Sequence, residues 1–126
     1  MIRNLLFVAL GGGLGSVLRY LTSFWIGKSY SSAFPLGTFI INVLGCFVIG
    51  FLIGLSSKTL LNEELRLLLV VGFCGGYTTF STFSAENMKL LEAGNYWTLS
   101  FYIVASVVLG LIAVWGGNTL SKIISL

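Results

Sequence analysis

The densest group of polar side chains in this sequence follows a glycine pair inside an apolar segment that begins near Leu65. Glycine costs a helix roughly 1 kcal/mol relative to alanine, so Gly75 and Gly76 predict an interruption over residues 75–78. Lipid offers no hydrogen bonds, so an interruption at membrane depth must be buried in protein or line a wet cavity. This stretch is the leading candidate for the functional centre. It continues as Tyr77, Thr78, Thr79, Phe80, Ser81, Thr82, Phe83 and Ser84.

Three further polar side chains lie within apolar segments, and each allows two interpretations. Arg19 is either an anchor that reaches the membrane interface or a cation at a water-filled mouth that gathers anions. Asn42 either bonds a neighbouring helix or offers an N–H to a passing anion. Glu86 shares a helix face with Thr79 and Thr82, which makes it a functional candidate. A buried glutamate can also be protonated and simply hydrogen-bonded.

A second polar stripe lies in the last apolar segment. Tyr102, Ser106 and Gly110 follow one another at intervals of four residues, so they share one face of a helix. The stripe carries hydroxyls at its first two positions. It is the sequence's second candidate for a polar path through an apolar environment.

The composition assigns the chain to the membrane proteins. Of 126 residues, 56% are hydrophobic and 9% are charged, whereas a soluble domain carries about 25% charged residues. The sequence contains no His and no Asp, which removes Ser-His-Asp triads and His-ligated metal sites and argues against an enzyme. The net charge of +3 comes from residues at segment ends, as in interfacial anchors rather than a nucleic-acid patch. Cys46 and Cys74 lie in apolar segments and are interpreted as small buried hydrophobes, not a disulfide.

The apolar segments predict an all-α integral membrane protein with a single domain over residues 1–126. Each segment is long enough to cross about 30 Å of hydrocarbon. We expect Pro35 in the first turn of the second helix, Asn62 as the N-cap of the third and Gly94 as its C-cap. The third helix is expected to break near its middle. The predicted spans are 2–26, 35–55, 63–93 (with the break at 75–78) and 96–123.

The distribution of basic residues leaves the orientation open. Four spans place both termini on one side, with Arg3, Lys58, Arg66 and Lys122, whereas the other side has Lys28, with Lys89 near it. The bias is small, so the positive-inside rule gives a weak signal. Either orientation, or both, is allowed.

The motif over residues 75–84 resembles the signature of the bacterial fluoride channels (Fluc, also called CrcB). The resemblance covers the whole chain. It includes Gly11, Gly12, Gly15 and Arg19 in the first span, the residues 37–39 with Asn42 and Gly45 in the second, and the residues 94–96 before the fourth. At Gly110 some relatives have a hydroxyl residue, so we expect the polar track of the fourth helix to end early in this chain.

The resemblance implies a fluoride channel of a bacterial plasma or inner membrane that passively exports the anion and protects the cell from its toxicity. It further implies an antiparallel, dual-topology homodimer embedded in lipid, with two pores and no nucleic-acid partner. Pore roles fall on the residues Asn42, Phe80, Phe83, Ser81, Thr82, Glu86, Tyr102 and Ser106, and a vestibule role on Arg19. A central structural sodium ion is implied as the cofactor, held by the carbonyls of Gly75 and Thr78 from both subunits.

Two other functions compete with this one. A small proton-coupled multidrug exporter of the dual-topology, four-helix type would use Glu86, but it does not need the hydroxyl-rich break or the paired phenylalanines. A structural subunit would explain the glycines, but not Asn42, Thr82 and Glu86.

Overall fold

The computed structural model describes residues 1–125, which are helical with short connections and contain no β-strand. The prediction of an all-helical protein with four apolar spans is confirmed. The largest difference from the predicted bounds is at the end of the first span, which was placed at residue 26 and lies at Ser29. The first to fourth spans are Ile2–Ser29, Leu36–Ser57, Glu63–Glu92 and Tyr96–Ile124.

The connections follow ordinary helix-capping chemistry. The first helix continues into the predicted loop, where Lys28 in its last turn suits the negative end of the helix dipole. The Lys28 Nζ also lies 4.8 Å from the centre of the Phe24 ring. Pro35 stands at the N-cap of the second helix and not within its first turn. The Asn62 side chain accepts a hydrogen bond from the Leu65 N–H at 2.8 Å, which confirms it as the N-cap of the third span. Gly94 follows the end of that span with a φ of 72°, a conformation that favours glycine.

The third span consists of several helical segments. An α-helical turn at Glu63–Arg66 leads into a π-helix at Leu67–Cys74 and a short α-helical segment at Gly75–Tyr77. Thr78 and Thr79 are extended, with ψ angles of 158° and 116°. A second α-helix, Phe80–Glu92, completes the span.

The extended residues lie after the glycine pair, not at it. Of the predicted interruption at 75–78, only Thr78 is extended, and Gly75 and Gly76 are helical. The physical reason lies in the first span. A Cβ at position 76 would lie 3.0 Å from the Gly12 Cα, so Gly76 serves a close approach of two backbones.

Close backbone contacts hold the spans together in two pairs. The first span packs on the first half of the third, where Gly15 lies against the backbone of Phe73 and Tyr77. The second span packs along the fourth, where Gly117 lies against the backbone of Phe47. Most large apolar side chains remain exposed on the outside of the chain, as expected of a protein in lipid.

The Phe80–Glu92 helix packs less against the other spans than the first half of its own span does. Its main contacts are with the fourth span, and it has fewer with the second. It stands beside the second and fourth spans and leaves a groove between them. Four of the polar residues singled out from the sequence line this groove: Asn42, Thr78, Thr79 and Ser106.

Candidate functional site

The groove has a volume of about 340 Å³ and is open on one side. The second span supplies the Asn42 side chain, and the fourth supplies Ser106. Phe80 and Phe83 come from the helix that starts after the extended residues. The remaining lining consists of small and apolar groups with the two threonines of the break: Gly45, Cys46, Ile49, Thr78, Thr79 and Val107.

The amide of Asn42 binds the backbone of Thr79 at two points. Its Nδ2 donates to the Thr79 carbonyl at 3.0 Å, and its Oδ1 accepts from the Thr79 N–H at 2.8 Å. This pairing satisfies the backbone of an extended residue that has no strand beside it. Of the two interpretations of Asn42, a bond to a neighbouring segment is therefore present. Its Nδ2 carries a second hydrogen that the Thr79 carbonyl does not use.

Phe80 and Phe83 form one wall of the groove. Their ring centres are 5.9 Å apart, and the ring planes are inclined by 37°. Phe83 also packs on Tyr102 with a centre-to-centre distance of 4.9 Å. Phe80 is 79% exposed, so its ring stands at the open side of the groove.

Glu86 lies one helical turn beyond Phe83 and does not line the groove. Its carboxyl oxygens accept hydrogen bonds of 2.8 Å from the hydroxyls of Thr38 and Tyr102. Both hydroxyl residues are buried. Through these bonds the carboxyl joins the second, third and fourth spans.

Three other predicted site residues contribute in different ways. The Ser106 hydroxyl lines the groove and is buried without a hydrogen-bond partner among residues 1–125. The Thr82 N–H donates to the Thr79 Oγ1 at 3.2 Å, which caps the Phe80–Glu92 helix. Ser81 is exposed, and its Oγ lies 3.5 Å from the Thr79 Oγ1.

Arg19 lies outside the groove. Its Nε donates to the Gly76 carbonyl at 3.1 Å, at the end of the helical segment before the extended residues. The next turn of the first span adds Thr22, whose hydroxyl lies 3.1 Å from the Tyr77 hydroxyl. The structure thus places Arg19 against the backbone of the interrupted span, partly buried.

Thr38 and Cys46 also belong to the site, although neither was predicted as a site residue. Thr38 precedes Asn42 by four residues and Cys46 follows it by four, so the three share one face of the second span. That spacing was the available signal. It was not decisive, because Thr38 acquires its role only through Glu86 on another span.

Four apolar spans define a multi-pass membrane protein. A family model described as "CrcB-like protein, Camphor Resistance (CrcB)" matches residues 6–118. The chain belongs to the CrcB family.

The chain is also similar to curated proteins named "Fluoride-specific ion channel FluC". The protein of Azobacteroides pseudotrichonymphae is 47% identical over 97% of this chain and 98% of its own length. The protein of Phocaeicola vulgatus is 47% identical over 96% of this chain and 100% of its own length. The protein of Chloroflexus aurantiacus is 49% identical over 96% of this chain and 97% of its own length. These relatives are named as channels, in agreement with the prediction that the chain is not an enzyme.

Proposed function

We propose that this protein is a fluoride-selective channel that lets the anion leave the cytoplasm passively and so protects the cell. The observation that carries the proposal is the groove itself, which the hydrogen-bond donors of Asn42 and Ser106 and the rings of Phe80 and Phe83 line together within a membrane-spanning chain. The names of the similar proteins support the choice of fluoride.

Fluoride is small and strongly hydrated, so a pore must replace its water with other donors. The second Nδ2 hydrogen of Asn42 and the Ser106 hydroxyl are such donors. The edges of the Phe80 and Phe83 rings carry positive charge from the aromatic quadrupole. These groups attract an anion without a fixed positive charge that would trap it.

The hydroxyls beyond Phe83 have a different role. Thr38 and Tyr102 already donate their hydroxyl hydrogen bonds to Glu86. Their network holds the Phe83 ring in place through its contact with Tyr102. We assign Glu86, Thr38 and Tyr102 to the end of the path next to Phe83, and Ser81 and Thr82 to the polar surface beside the helix start.

The open side of the groove is closed by a second copy of the chain. Phe80 is largely exposed beside polar lining groups that lipid does not satisfy. We propose an antiparallel homodimer, consistent with the small charge bias between the two sides of the membrane. A twofold axis then repeats the groove and gives two pores.

A structural sodium ion on that axis would be held by the carbonyls of Gly75 and Thr78 from both copies. Neither carbonyl accepts a hydrogen bond from residues 1–125. A Cβ at Gly75 would meet no atom within 4 Å, so this backbone is accessible. Sodium prefers hard oxygen ligands, which backbone carbonyls supply. The residues fit the ion, whose charge would offset the carbonyl dipoles at the interruption.

Fluoride efflux from liposomes that contain only this protein tests the function. We expect rapid fluoride efflux and little chloride efflux, with no requirement for a proton gradient. Comparable chloride efflux from the same vesicles would contradict selectivity. A requirement for a proton gradient would instead favour the exporter that uses Glu86.

Cysteine labelling tests the antiparallel assembly. A single cysteine introduced near the exposed N-terminus should react with an impermeant thiol reagent from both sides of the membrane, because half of the copies point each way. The unmodified protein, whose Cys46 and Cys74 lie within spans, is the control. Labelling from one side alone would exclude dual topology.

A further inference from the structure

The carbonyls of Gly75 and Thr78 would be occupied in an uninterrupted helix. Each carbonyl of an α-helix accepts the N–H four residues further on. The donor for Gly75 would be the Thr79 N–H, and the donor for Thr78 would be the Thr82 N–H. Neither donor binds its helical partner in this structure.

Side-chain oxygens take both donors. The Thr79 N–H donates to the Asn42 Oδ1 at 2.8 Å, and the Asn42 Nδ2 holds the Thr79 carbonyl at 3.0 Å. The Thr82 N–H donates to the Thr79 Oγ1 at 3.2 Å. The Asn42 oxygen, from the second span, therefore leaves the Gly75 carbonyl without a donor. The Thr79 hydroxyl oxygen, within the interruption, does the same for the Thr78 carbonyl.

The neighbouring carbonyls of Cys74 and Gly76 do accept hydrogen bonds. The Cys74 carbonyl accepts both the N–H and the hydroxyl of Thr78, at 3.0 and 2.9 Å. The Gly76 carbonyl accepts the Arg19 Nε at 3.1 Å. The carbonyls of Cys74 and Gly76 thus accept hydrogen bonds, whereas those of Gly75 and Thr78 have no donor among residues 1–125.

We infer that Asn42 and Thr79 are positioning residues for a monovalent cation, because their side-chain oxygens capture the two N–H groups that would otherwise occupy its carbonyl ligands. The inference rests on the sodium ion of the proposed function. It adds a role for Thr79 that goes beyond capping a helix. It also gives Asn42 a second role beside the anion path, since the same amide serves both.

Substitution of Thr79 tests the inference, with the sodium dependence of the thermal unfolding temperature as the readout. The purified protein in detergent is titrated with sodium chloride against N-methyl-D-glucamine chloride at constant ionic strength. An ion that binds only the folded protein raises the unfolding temperature with its concentration. In Thr79→Val the Thr82 N–H has lost its side-chain acceptor and is free to bind the Thr78 carbonyl. We expect about tenfold more sodium for the same rise, the ratio expected from one hydrogen bond of ordinary strength.

Matched variants separate positioning from simple capping. Thr79→Ser and Thr79→Asn keep an oxygen and should retain the sodium response, whereas Thr79→Ala should behave like Thr79→Val. A variant that is unfolded at low sodium is measured from its recovery at higher concentrations. Loss of a structural cap alone lowers the unfolding temperature equally at every sodium concentration. That parallel shift in Thr79→Val and Thr79→Ala would overturn the inference.

The same titration distinguishes the inference from the proposals beneath it. If the unsubstituted protein shows no sodium response, the sodium site fails and the inference fails with it. If the response is present but liposomes show no fluoride efflux, the channel proposal fails. The role of Thr79 would then still be decided by the valine and serine variants.

Discussion

Replacing Phe80 or Phe83 with isoleucine lowers fluoride efflux by about tenfold or more, whereas methionine at the same positions retains most of it. Isoleucine keeps apolar bulk but removes the positive ring edge, and methionine provides a flexible, polarizable side chain. Loss of one favourable contact of about 1.4 kcal/mol in the rate-limiting step corresponds to roughly tenfold in rate. Efflux from liposomes with matched protein content is the measurement.

The control for this experiment is Phe24→Ile in the first span. Phe24 stacks on Tyr20 with ring centres 6.3 Å apart and does not line the groove. Its replacement should leave efflux unchanged. If Phe80→Ile and Phe83→Ile proteins conduct as well as the Phe24→Ile protein, the rings are packing elements and the anion path lies elsewhere.

Replacing Asn42 with aspartate abolishes fluoride efflux. The new carboxylate lies in the groove and repels an anion. For two unit charges about 4 Å apart, at an effective dielectric constant of about 20, the repulsion is about 4 kcal/mol. A barrier raised by that amount corresponds to about a thousandfold in rate. Aspartate also loses the Nδ2 donor to the Thr79 carbonyl, so two oxygens face each other where a hydrogen bond was.

Asn118→Asp is the matched control for charge in a span. Asn118 lies in the fourth span, is partly buried like Asn42 and does not line the groove. We expect this variant to conduct fluoride at close to the normal rate once it is reconstituted in folded form. Equal efflux from the two aspartate proteins would remove Asn42 from the anion path.

The spans could be predicted because each depends on local composition. A run of about 20 apolar residues must become a helix in lipid, whatever surrounds it. The cap at Asn62 could be predicted for the same reason, since its side chain binds an N–H three residues away. Gly94 likewise adopts a conformation determined by its own lack of a side chain.

The interruption could be predicted only in part from local signals: the predicted range 75–78 includes the extended Thr78 but not Thr79. The glycine pair was the strongest helix-breaking pattern in the segment, but Gly75 and Gly76 remain helical. The extended residues are Thr78 and Thr79, and their backbone is satisfied by Asn42 from another span. Intrinsic propensity is a weak prior when a distant side chain supplies the missing hydrogen bonds.

The candidate site likewise has one part that the sequence determined and another that depended on the tertiary structure. The sequence by itself determined the residue types, the helical face shared by Thr38, Asn42 and Cys46, and the two phenylalanines that lie three positions apart. Only the tertiary structure decided that Glu86 binds Thr38 and Tyr102 and that Arg19 binds the Gly76 carbonyl. Hydrophobic periodicity specifies which face of a helix is polar. It does not specify which neighbouring span meets that face, because this depends on glycine contacts that bring particular backbones together.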